Sequence, residues 1–265
     1  MGELVFIGLG LYDELGLSLR GQAEARSCDL VFIELYTNTM SGLRIGKLEE
    51  NLGRPVKLLH RKDVEELAQE TILSAAKKSK VGFLVPGDPM IATTHVDLRL
   101  RAHKNGITTR IIHAASVLTA AAGVSGLQSY KFGRTITVPV QTETLPDSVL
   151  NTIESNLEIG LHSLVLLEID VENRRAVRIP DALEKITALS SQRPKSAIRP
   201  ESLAVGLARI EAPNMMVRAG SVSQLSRLEF GEPPQCLIFP GRLHFLEGEA
   251  LQVLCGATKE QTIAK

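Results

Sequence analysis

The stretch FLVPGDPMIATTH, residues 83–95, constrains the fold of this chain more than any other segment. It opens with an apolar run of the kind found in strands that a parallel sheet buries on both faces. The run ends at Pro86, because proline fixes φ and has no backbone donor. Gly87 permits a tight turn, and Thr93 or Thr94 can cap the helix that follows. The stretch therefore predicts a strand, a loop and a helix, with the loop at the edge where α/β sheets bind ligands.

The rest of the first half repeats this alternation of apolar runs with helical patterns. Ser18 and the pair Asp63 and Glu66 mark helix starts, and Gly53 marks a helix end. Strands are predicted at residues 4–8, 29–36, 56–59, 81–85 and 109–113, and helices at residues 18–25, 44–51, 63–78, 93–105 and 116–123. Strands that alternate with helices indicate a parallel sheet.

The glycine-rich segment GVSGLQSYKFG, residues 123–133, has no clean period and predicts a domain junction. We expect an N-terminal α/β domain at residues 1–128 and a C-terminal mixed α/β domain at residues 129–265. In the second domain, strands are predicted at residues 135–140, 163–169, 203–208, 215–219 and 236–239, and helices at residues 146–158, 180–189 and 243–254. This arrangement is typical of a mixed sheet with some antiparallel pairing.

The charge balance and the cysteines limit the class of protein. Thirty Lys and Arg residues balance thirty Asp and Glu residues, so no overall field draws the chain to nucleic acid or an anionic membrane. The three cysteines, Cys28, Cys236 and Cys255, have no CxxC spacing, which predicts buried thiols in a reducing compartment rather than metal ligands or disulfides. No apolar run reaches membrane-spanning length, and a strand begins where a signal peptide would stand. A cytoplasmic protein without a metal site is expected.

The first strand leads into GLGLYDELG, a glycine turn of a shape common at nucleotide sites. A dinucleotide-binding fingerprint requires GxGxxG. In this chain Gly8 and Gly10 are followed by Asp13 at the position of the third glycine. This departure disfavours a nucleotide-dependent oxidoreductase.

Six motifs spread along nearly the whole chain carry a family resemblance: GLGLYDELGLSLRG, CDLVFIELYT, PGDPMIATTH, HAASV, GLQSYKFG and PPQCLIFPGRLH. Together they resemble the diphthine synthase family, a branch of the tetrapyrrole methylase superfamily. The glycine turn with its acid and the GDP loop, residues 87–89, belong to the wider superfamily pattern. The ATTH, YKFG and PGRLH strings are narrower and point to the diphthine branch.

The resemblance implies a two-domain α/β homodimer that binds S-adenosylmethionine in a cleft between its domains and releases S-adenosylhomocysteine. It also implies trimethylation of the amino group of 2-(3-amino-3-carboxypropyl)-histidine in translation elongation factor 2. The product is diphthine, and the reaction is a step of diphthamide biosynthesis. Because the sulfonium is already an activated electrophile, the protein needs to align an uncharged amine with the methyl carbon and needs no metal.

The family motifs also imply which residues contact the cofactor. These are Leu11, Asp88, Ile91, Ser116, Val117, Leu167, Ala208 and Gln235. The carboxylate would accept hydrogen bonds from polar cofactor groups, and the apolar residues would form the walls of a small pocket. Two positions depart from the family pattern, because Ala115 stands in place of a proline and Gln235 in place of a histidine.

Each assignment has a structural alternative. Asp88 could stabilise its own turn as an Asx residue, and Ser116 could act as a helix cap. The apolar residues could simply belong to the core. His95, His113 and His244 are candidates for a general base, but histidines beside apolar strands more often have structural roles. No catalytic side chain is therefore assigned from the sequence.

Two other functions remain open. One is a methyltransferase of the same fold that acts on a tetrapyrrole, such as a corrin precursor. A substrate with many carboxylates would favour a basic cleft, and no arginine lies near the GDP loop. The other is a protein without catalytic activity that uses the cleft to bind a ligand, since the same residues serve binding and catalysis.

Overall fold

The computed structural model of the chain describes residues 2–142 and 144–263. The polypeptide forms two compact units, Met1–Val117 and Leu118–Lys265. The division lies before the glycine-rich segment in which the sequence places a junction. The boundary of the functional domains after residue 128 stays a prediction.

The first unit alternates strands with helices along its whole length. Its elements are, in chain order, β1 (Glu3–Gly8), α1 (Leu19–Ser27), β2 (Leu30–Glu34), α2 (Ile45–Leu52), β3 (Lys57–Leu59), α3 (Arg61–Glu65), α4 (Ile72–Lys78), β4 (Lys80–Val85), α5 (His95–Lys104) and β5 (Thr108–Ile112). The strands form one parallel sheet in the order β3-β2-β4-β1-β5. The predicted parallel sheet is confirmed, and the strand before the GDP loop, β4, lies at its centre.

Both faces of this sheet are covered, which explains the apolar runs in the sequence. Leu4 and Phe6 of β1 pack into a core shared with α3, α4 and α5. Val5 and Ile7 of the same strand pack into a second core with α1 and α2. All four side chains are fully buried. Because its strands are parallel, their carboxyl ends lie at one edge of the sheet, and the loops that follow them emerge there together.

The helix predicted for residues 63–78 is wrong, because this segment forms the two short helices α3 and α4. α3 begins after His60, whose backbone N–H donates to the Asp63 carboxylate at 2.9 Å. Asp63 therefore lies within the first turn instead of preceding it. The Thr71 hydroxyl lies 2.6 and 2.8 Å from the carbonyl oxygens of Asp63 and Leu67. These side-chain bonds to the main chain compete with a continuous helix, which the apolar periodicity alone does not reveal.

The second unit is a mixed α/β structure. Its elements, with α6 starting at the division, are α6 (Val117–Ser125), β6 (Ile136–Val138), α7 (Asp147–Glu158), β7 (Ser163–Leu167), β8 (Ile169–Asp170), β9 (Arg175–Ala176), α8 (Ile179–Ser191), β10 (Leu203–Ala208), β11 (Met216–Ser221), α9 (Val222–Leu225), β12 (Gln235–Phe239), α10 (Phe245–Cys255) and α11 (Lys259–Thr262). The main sheet has the order β11-β10-β12-β7-β6, with β6 and β7 parallel and the other pairs antiparallel. The predicted mixed sheet is confirmed. The small β8–β9 hairpin was not predicted.

The strings YKFG and PGRLH meet in a buried ionic network in the second unit. The fully buried carboxylate of Glu247 accepts hydrogen bonds from Lys131 Nζ at 2.5 Å and His162 Nε2 at 2.8 Å. It also accepts the backbone N–H groups of Gln128 and His244 at 2.9 and 2.7 Å. Burial opposes the ionisation of Glu247, but these donors outweigh it and lower the pKa to about 2. The two strings therefore hold α10 to the segment before β6.

The cysteines are free and buried, as predicted. Burial raises the pKa of Cys28 and Cys255 to about 11 and that of Cys236 to about 12. Such thiols are protonated at neutral pH and are poor nucleophiles. Within residues 2–142 and 144–263, no helix is long and apolar enough to cross a membrane.

Candidate functional site

The glycine turn after β1 and the GDP loop after β4 are joined by main-chain hydrogen bonds. The N–H of Gly10 donates to the carbonyl of Gly87 at 3.3 Å, and the N–H of Gly87 donates to the carbonyl of Gly10 at 2.7 Å. Both glycines have positive φ, 80° at Gly10 and 68° at Gly87, a conformation that L side chains rarely adopt. The two superfamily motifs, far apart in sequence, therefore form one rigid ledge at the carboxyl edge of the sheet.

Gly8, the last residue of β1, allows a third loop to join this ledge. A Cβ at this position would lie 2.6 Å from the carbonyl oxygen of Gly87 and 2.7 Å from the Cβ of Ala114. Because β1 lies between β4 and β5 in the sheet, the loops after these strands can meet only across the end of β1. The missing side chain lets them do so, which brings the HAASV motif to the GDP loop.

Asp88 connects these loops through its buried carboxylate, which is 7% exposed as a residue. Oδ1 accepts the N–H of Met90 at 3.0 Å, the bond of an Asx turn. Oδ2 lies 2.7 Å from Nδ1 of His113 and 3.4 Å from the N–H of Ala114. The Asx interpretation is correct as far as Oδ1 is concerned, and the contact with His113 adds a second role. The sequence does not predict this contact, because His113 lies 25 positions from Asp88 along the chain.

His95 supports the GDP loop from inside the unit. Its ring is fully buried against Phe83, and Nδ1 lies 3.0 Å from the carbonyl oxygen of Pro89. Burial lowers the pKa of His95 to about 4, although the bond to Pro89 acts in the opposite direction. The ring is therefore neutral at physiological pH, and its Nδ1–H donates to the loop. The structural interpretation of His95 made from the sequence fits this geometry.

Glu34 is a buried acid at the end of β2, and its Oε1 lies 4.0 Å from Nε2 of His95. Its carboxylate accepts the N–H groups of Tyr36 and Thr37 at 2.9 and 3.0 Å and the hydroxyl of Thr37. Burial raises the pKa of Glu34 to about 7 in spite of these donors. Between these two pKa values, about 4 for His95 and about 7 for Glu34, a protonated carboxyl group and a neutral imidazole thus lie side by side beneath the GDP loop.

The substitution Glu34→Gln tests this protonation state. The folded pKa of Glu34, about 7, lies above its ordinary value of 4.5, so the folded state retains a proton that the unfolded state releases. Over this interval the free energy of unfolding of the unaltered protein falls as pH rises, and the variant lacks this titration. We therefore expect the free energy of unfolding of the unaltered protein, minus that of the variant, to decrease between about pH 5 and pH 8. Urea unfolding at both pH values measures it, and a relative stability that increases with pH would contradict the assignment.

The five predicted cofactor residues of the first unit lie on or directly beside the three loops of the ledge. Leu11 follows Gly10, Asp88 belongs to the GDP loop, Ile91 follows that loop by two residues, Ser116 lies between β5 and α6, and Val117 begins α6. Ser116 is buried, whereas Leu11, Ile91 and Val117 are each partly exposed. Small-molecule sites are lined mainly by apolar side chains with a few polar groups, and these residues include both kinds. Their contact with a cofactor stays a prediction.

The three predicted residues of the second unit gather at one end of its main sheet. Leu167 ends β7, Ala208 ends β10, and Gln235 begins the antiparallel strand β12, opposite Ala208. The side chain of Gln235 is already used within the unit, since Oε1 accepts the N–H of Ile179 at 2.8 Å and Nε2 donates to the carbonyl of Gly231 at 2.7 Å. A cofactor contact at this position would therefore fall to the main chain, and it stays a prediction.

Comparison with known proteins identifies the family. Residues 3–199 match the family model of the tetrapyrrole (corrin/porphyrin) methylases. A diphthine synthase from Methanocella arvoryzae is 42% identical over 254 residues, which cover 96% of this chain and 98% of that protein. The chain belongs to the diphthine synthase family of tetrapyrrole methylases. It is an enzyme of the methyltransferase class, as the motifs predicted.

Further relatives support this assignment to the diphthine synthase family. A diphthine synthase from Methanothermobacter thermautotrophicus is 40% identical over 257 residues, 97% of each chain. A crystal structure of a diphthine synthase matches with a TM-score of 0.89 and 34% identity, covering 99% of both chains. The similarity thus extends over both compact units. It includes the part of the second unit after residue 199, which the family model does not match.

Proposed function

We propose that this chain transfers methyl groups from S-adenosylmethionine to the amino group of 2-(3-amino-3-carboxypropyl)-histidine in translation elongation factor 2, yielding the trimethylated product diphthine. The observation that carries the proposal is the full-length similarity to diphthine synthases, at 42% identity over 96% of the chain. It is supported by the ledge of the first unit, where the superfamily glycine turn and GDP loop are joined by hydrogen bonds.

The residues of the ledge fit S-adenosylmethionine as a ligand. The Gly8 position has no room for a Cβ, and the positive φ of Gly10 and Gly87 lets the glycine turn and the GDP loop meet without side chains between the main chain and a ligand. We propose that the eight residues named from the motifs hold the cofactor, with Asp88 accepting hydrogen bonds and the apolar residues forming the walls. When bound, S-adenosylmethionine supplies an activated methyl group on a sulfonium.

The protein then contributes alignment, exclusion of water and proton removal. The buried thiols are protonated and cannot compete as nucleophiles. Holding the amine in line with the methyl carbon converts a reaction between two molecules into one within a complex, an effect of roughly 7 to 11 kcal/mol in model systems. The rigid hydrogen-bonded ledge is suited to this, because small displacements of the reacting atoms are costly.

We also propose that the enzyme acts in the cytoplasm as a homodimer, without nucleic acid or membrane partners. Three free buried cysteines are compatible with a reducing compartment. α10 exposes the apolar side chains of Phe245, Leu246, Val253 and Leu254. Such a surface is of the kind that a second copy would cover.

Mass spectrometry tests the proposed reaction. Elongation factor 2 that carries the aminocarboxypropyl-histidine is incubated with the protein and S-adenosylmethionine, beside a matched factor whose histidine is unmodified. We expect successive additions of one methyl mass that stop at three on the modified factor and no addition on the control. If S-adenosylmethionine bound without methylation of the factor, the substrate assignment would be wrong, and corrin precursors would be the next substrates to test.

A further inference from the structure

His113 combines exposure with attachment to the ledge. It directly follows β5, and Nδ1 of its ring lies 2.7 Å from Oδ2 of Asp88. Its side chain is 71% exposed, whereas that of Asp88 is 6% exposed. A buried carboxylate therefore holds an imidazole whose outer side faces solvent.

The bond to Asp88 determines how this ring is oriented. An ionised carboxylate only accepts hydrogen bonds, so Nδ1 of His113 carries the hydrogen. In the neutral ring, Nε2 then has a lone pair and is a proton acceptor. Within the described residues, Nε2 of His113 makes no hydrogen bond, and Asp88 is the ionisable side chain in contact with the ring. The same arrangement of carboxylate, imidazole and free nitrogen orients general bases in unrelated enzymes.

The other titratable groups beneath these loops are less suited to take a proton from a substrate. His95 is fully buried, donates to Pro89, and has its Nε2 beside Glu34 inside the unit. Glu34 is also fully buried and holds the main chain at residues 36 and 37. Neither group can exchange protons with solvent without opening the core. His113 can, because most of its side chain is exposed.

We infer that His113 is the proton acceptor for the substrate amine, held in the correct tautomer by Asp88; this inference rests on the proposed function. Before each transfer, the ammonium form of the substrate loses one proton to Nε2 of His113 and keeps the lone pair on nitrogen. The nitrogen then forms a bond to the methyl carbon with that pair, and the carbon–sulfur bond breaks with its electron pair left on sulfur. The products are the methylated ammonium and S-adenosylhomocysteine, and the imidazolium returns its proton to solvent.

The substitution His113→Asn separates proton acceptance from support of Asp88. The asparagine amide can still donate to the Asp88 carboxylate, but it has no basic nitrogen in place of Nε2. We expect the dissociation constant for S-adenosylmethionine, measured by calorimetry, to stay within about twofold. We expect the rate of methyl transfer to fall by about 10²-fold or more, the usual range for loss of a general base. Added imidazole should restore part of the rate, which a purely structural role would not allow.

The activity of the unaltered enzyme distinguishes failure of the proposed function from failure of the inference about His113. If the unaltered enzyme fails to methylate the modified elongation factor 2, the proposed function is wrong, and the inference that His113 accepts a proton from that substrate is overturned with it. If it methylates the factor and His113→Asn is equally active, the inference alone is wrong and solvent takes the proton. If His113→Asn loses affinity for S-adenosylmethionine together with activity, and imidazole restores neither, His113 acts only by holding Asp88. That result would also overturn the inference.

Discussion

Asp88→Asn is expected to reduce kcat/KM for methyl transfer by about 10²-fold or more, since it removes two functions at once. One oxygen of the carboxylate accepts a hydrogen bond from the N–H of Met90. The other accepts hydrogen bonds from Nδ1 of His113 and from the N–H of Ala114. An amide oxygen can retain the turn bond to Met90. The amide nitrogen, however, would face the Nδ1–H of His113, and two donors cannot bond to each other.

The ring of His113 would then adopt the other tautomer, with its lone pair on Nδ1 and its hydrogen on Nε2. The accessible nitrogen would no longer accept a proton. Loss of a charged acceptor should also weaken binding of S-adenosylmethionine, because a hydrogen bond to an ionised group contributes about 1.5 to 3 kcal/mol. Both the rate constant and the affinity are thus expected to change.

Single-turnover methylation and calorimetric titration with S-adenosylmethionine measure the two effects separately. Asp97→Asn is the matched control, because Asp97 lies in the first turn of α5, is 64% exposed at its side chain, and pairs with Arg101 on the surface. We expect the control to retain activity within about twofold, because an exposed ion pair contributes about 0 to 1 kcal/mol to stability. An Asp88→Asn enzyme with unaltered rate and affinity would show that Asp88 only shapes its loop.

Glu247→Ala is expected to lower the free energy of unfolding by about 3 to 5 kcal/mol, the usual cost of removing one partner from a buried ionic group. Lys131 and His162 would lose their shared acceptor, and His162 is fully buried with Nδ1 already used by the N–H of Gly241. The N–H groups of Gln128 and His244 would also lose their partner. Unpaired buried donors are the reason for the large effect.

Urea unfolding followed by circular dichroism measures this loss. Glu249→Ala is the control on the same helix, since Glu249 is exposed, and surface substitutions of this kind change stability by about 0.5 kcal/mol or less. A loss below about 1 kcal/mol for Glu247→Ala would mean that solvent satisfies the network after relaxation. In that case, stabilisation by the buried network would not explain why the YKFG and PGRLH strings are present in this chain.

The local patterns of the sequence predicted most of the secondary structure, and their failures have physical causes. The apolar run before Pro86 became the central strand β4, and the cap at Ser18 was found where expected, with its hydroxyl accepting the N–H of Gly21 at 3.0 Å. Hydrophobic periodicity and helix capping depend on residues a few positions apart, so the sequence alone reveals them. The segment 63–78 failed because the Thr71 hydroxyl bonds to main-chain carbonyls and interrupts the helix, and periodicity does not report such bonds.

The candidate site shows a similar division. The sequence by itself determined the ligand-binding loop, because a buried strand that stops at proline and glycine before a helix can end only at the carboxyl edge of a parallel sheet. The family motifs added the names of the cofactor residues, which remain predictions. They did not show which histidine could serve the chemistry, since His95 and His113 both follow apolar strands or loops in the sequence.

Only the tertiary structure decided between these histidines. It buries His95 under the GDP loop and leaves His113 exposed with its ring on Asp88. That contact joins the loops of two strands separated in the sheet by β1, and it depends on the absence of a side chain at Gly8. Contacts of this kind follow from strand order and from the space between loops. Neither is encoded in the local spacing of apolar and polar residues, so the sequence predicts the loop and the fold decides its chemistry.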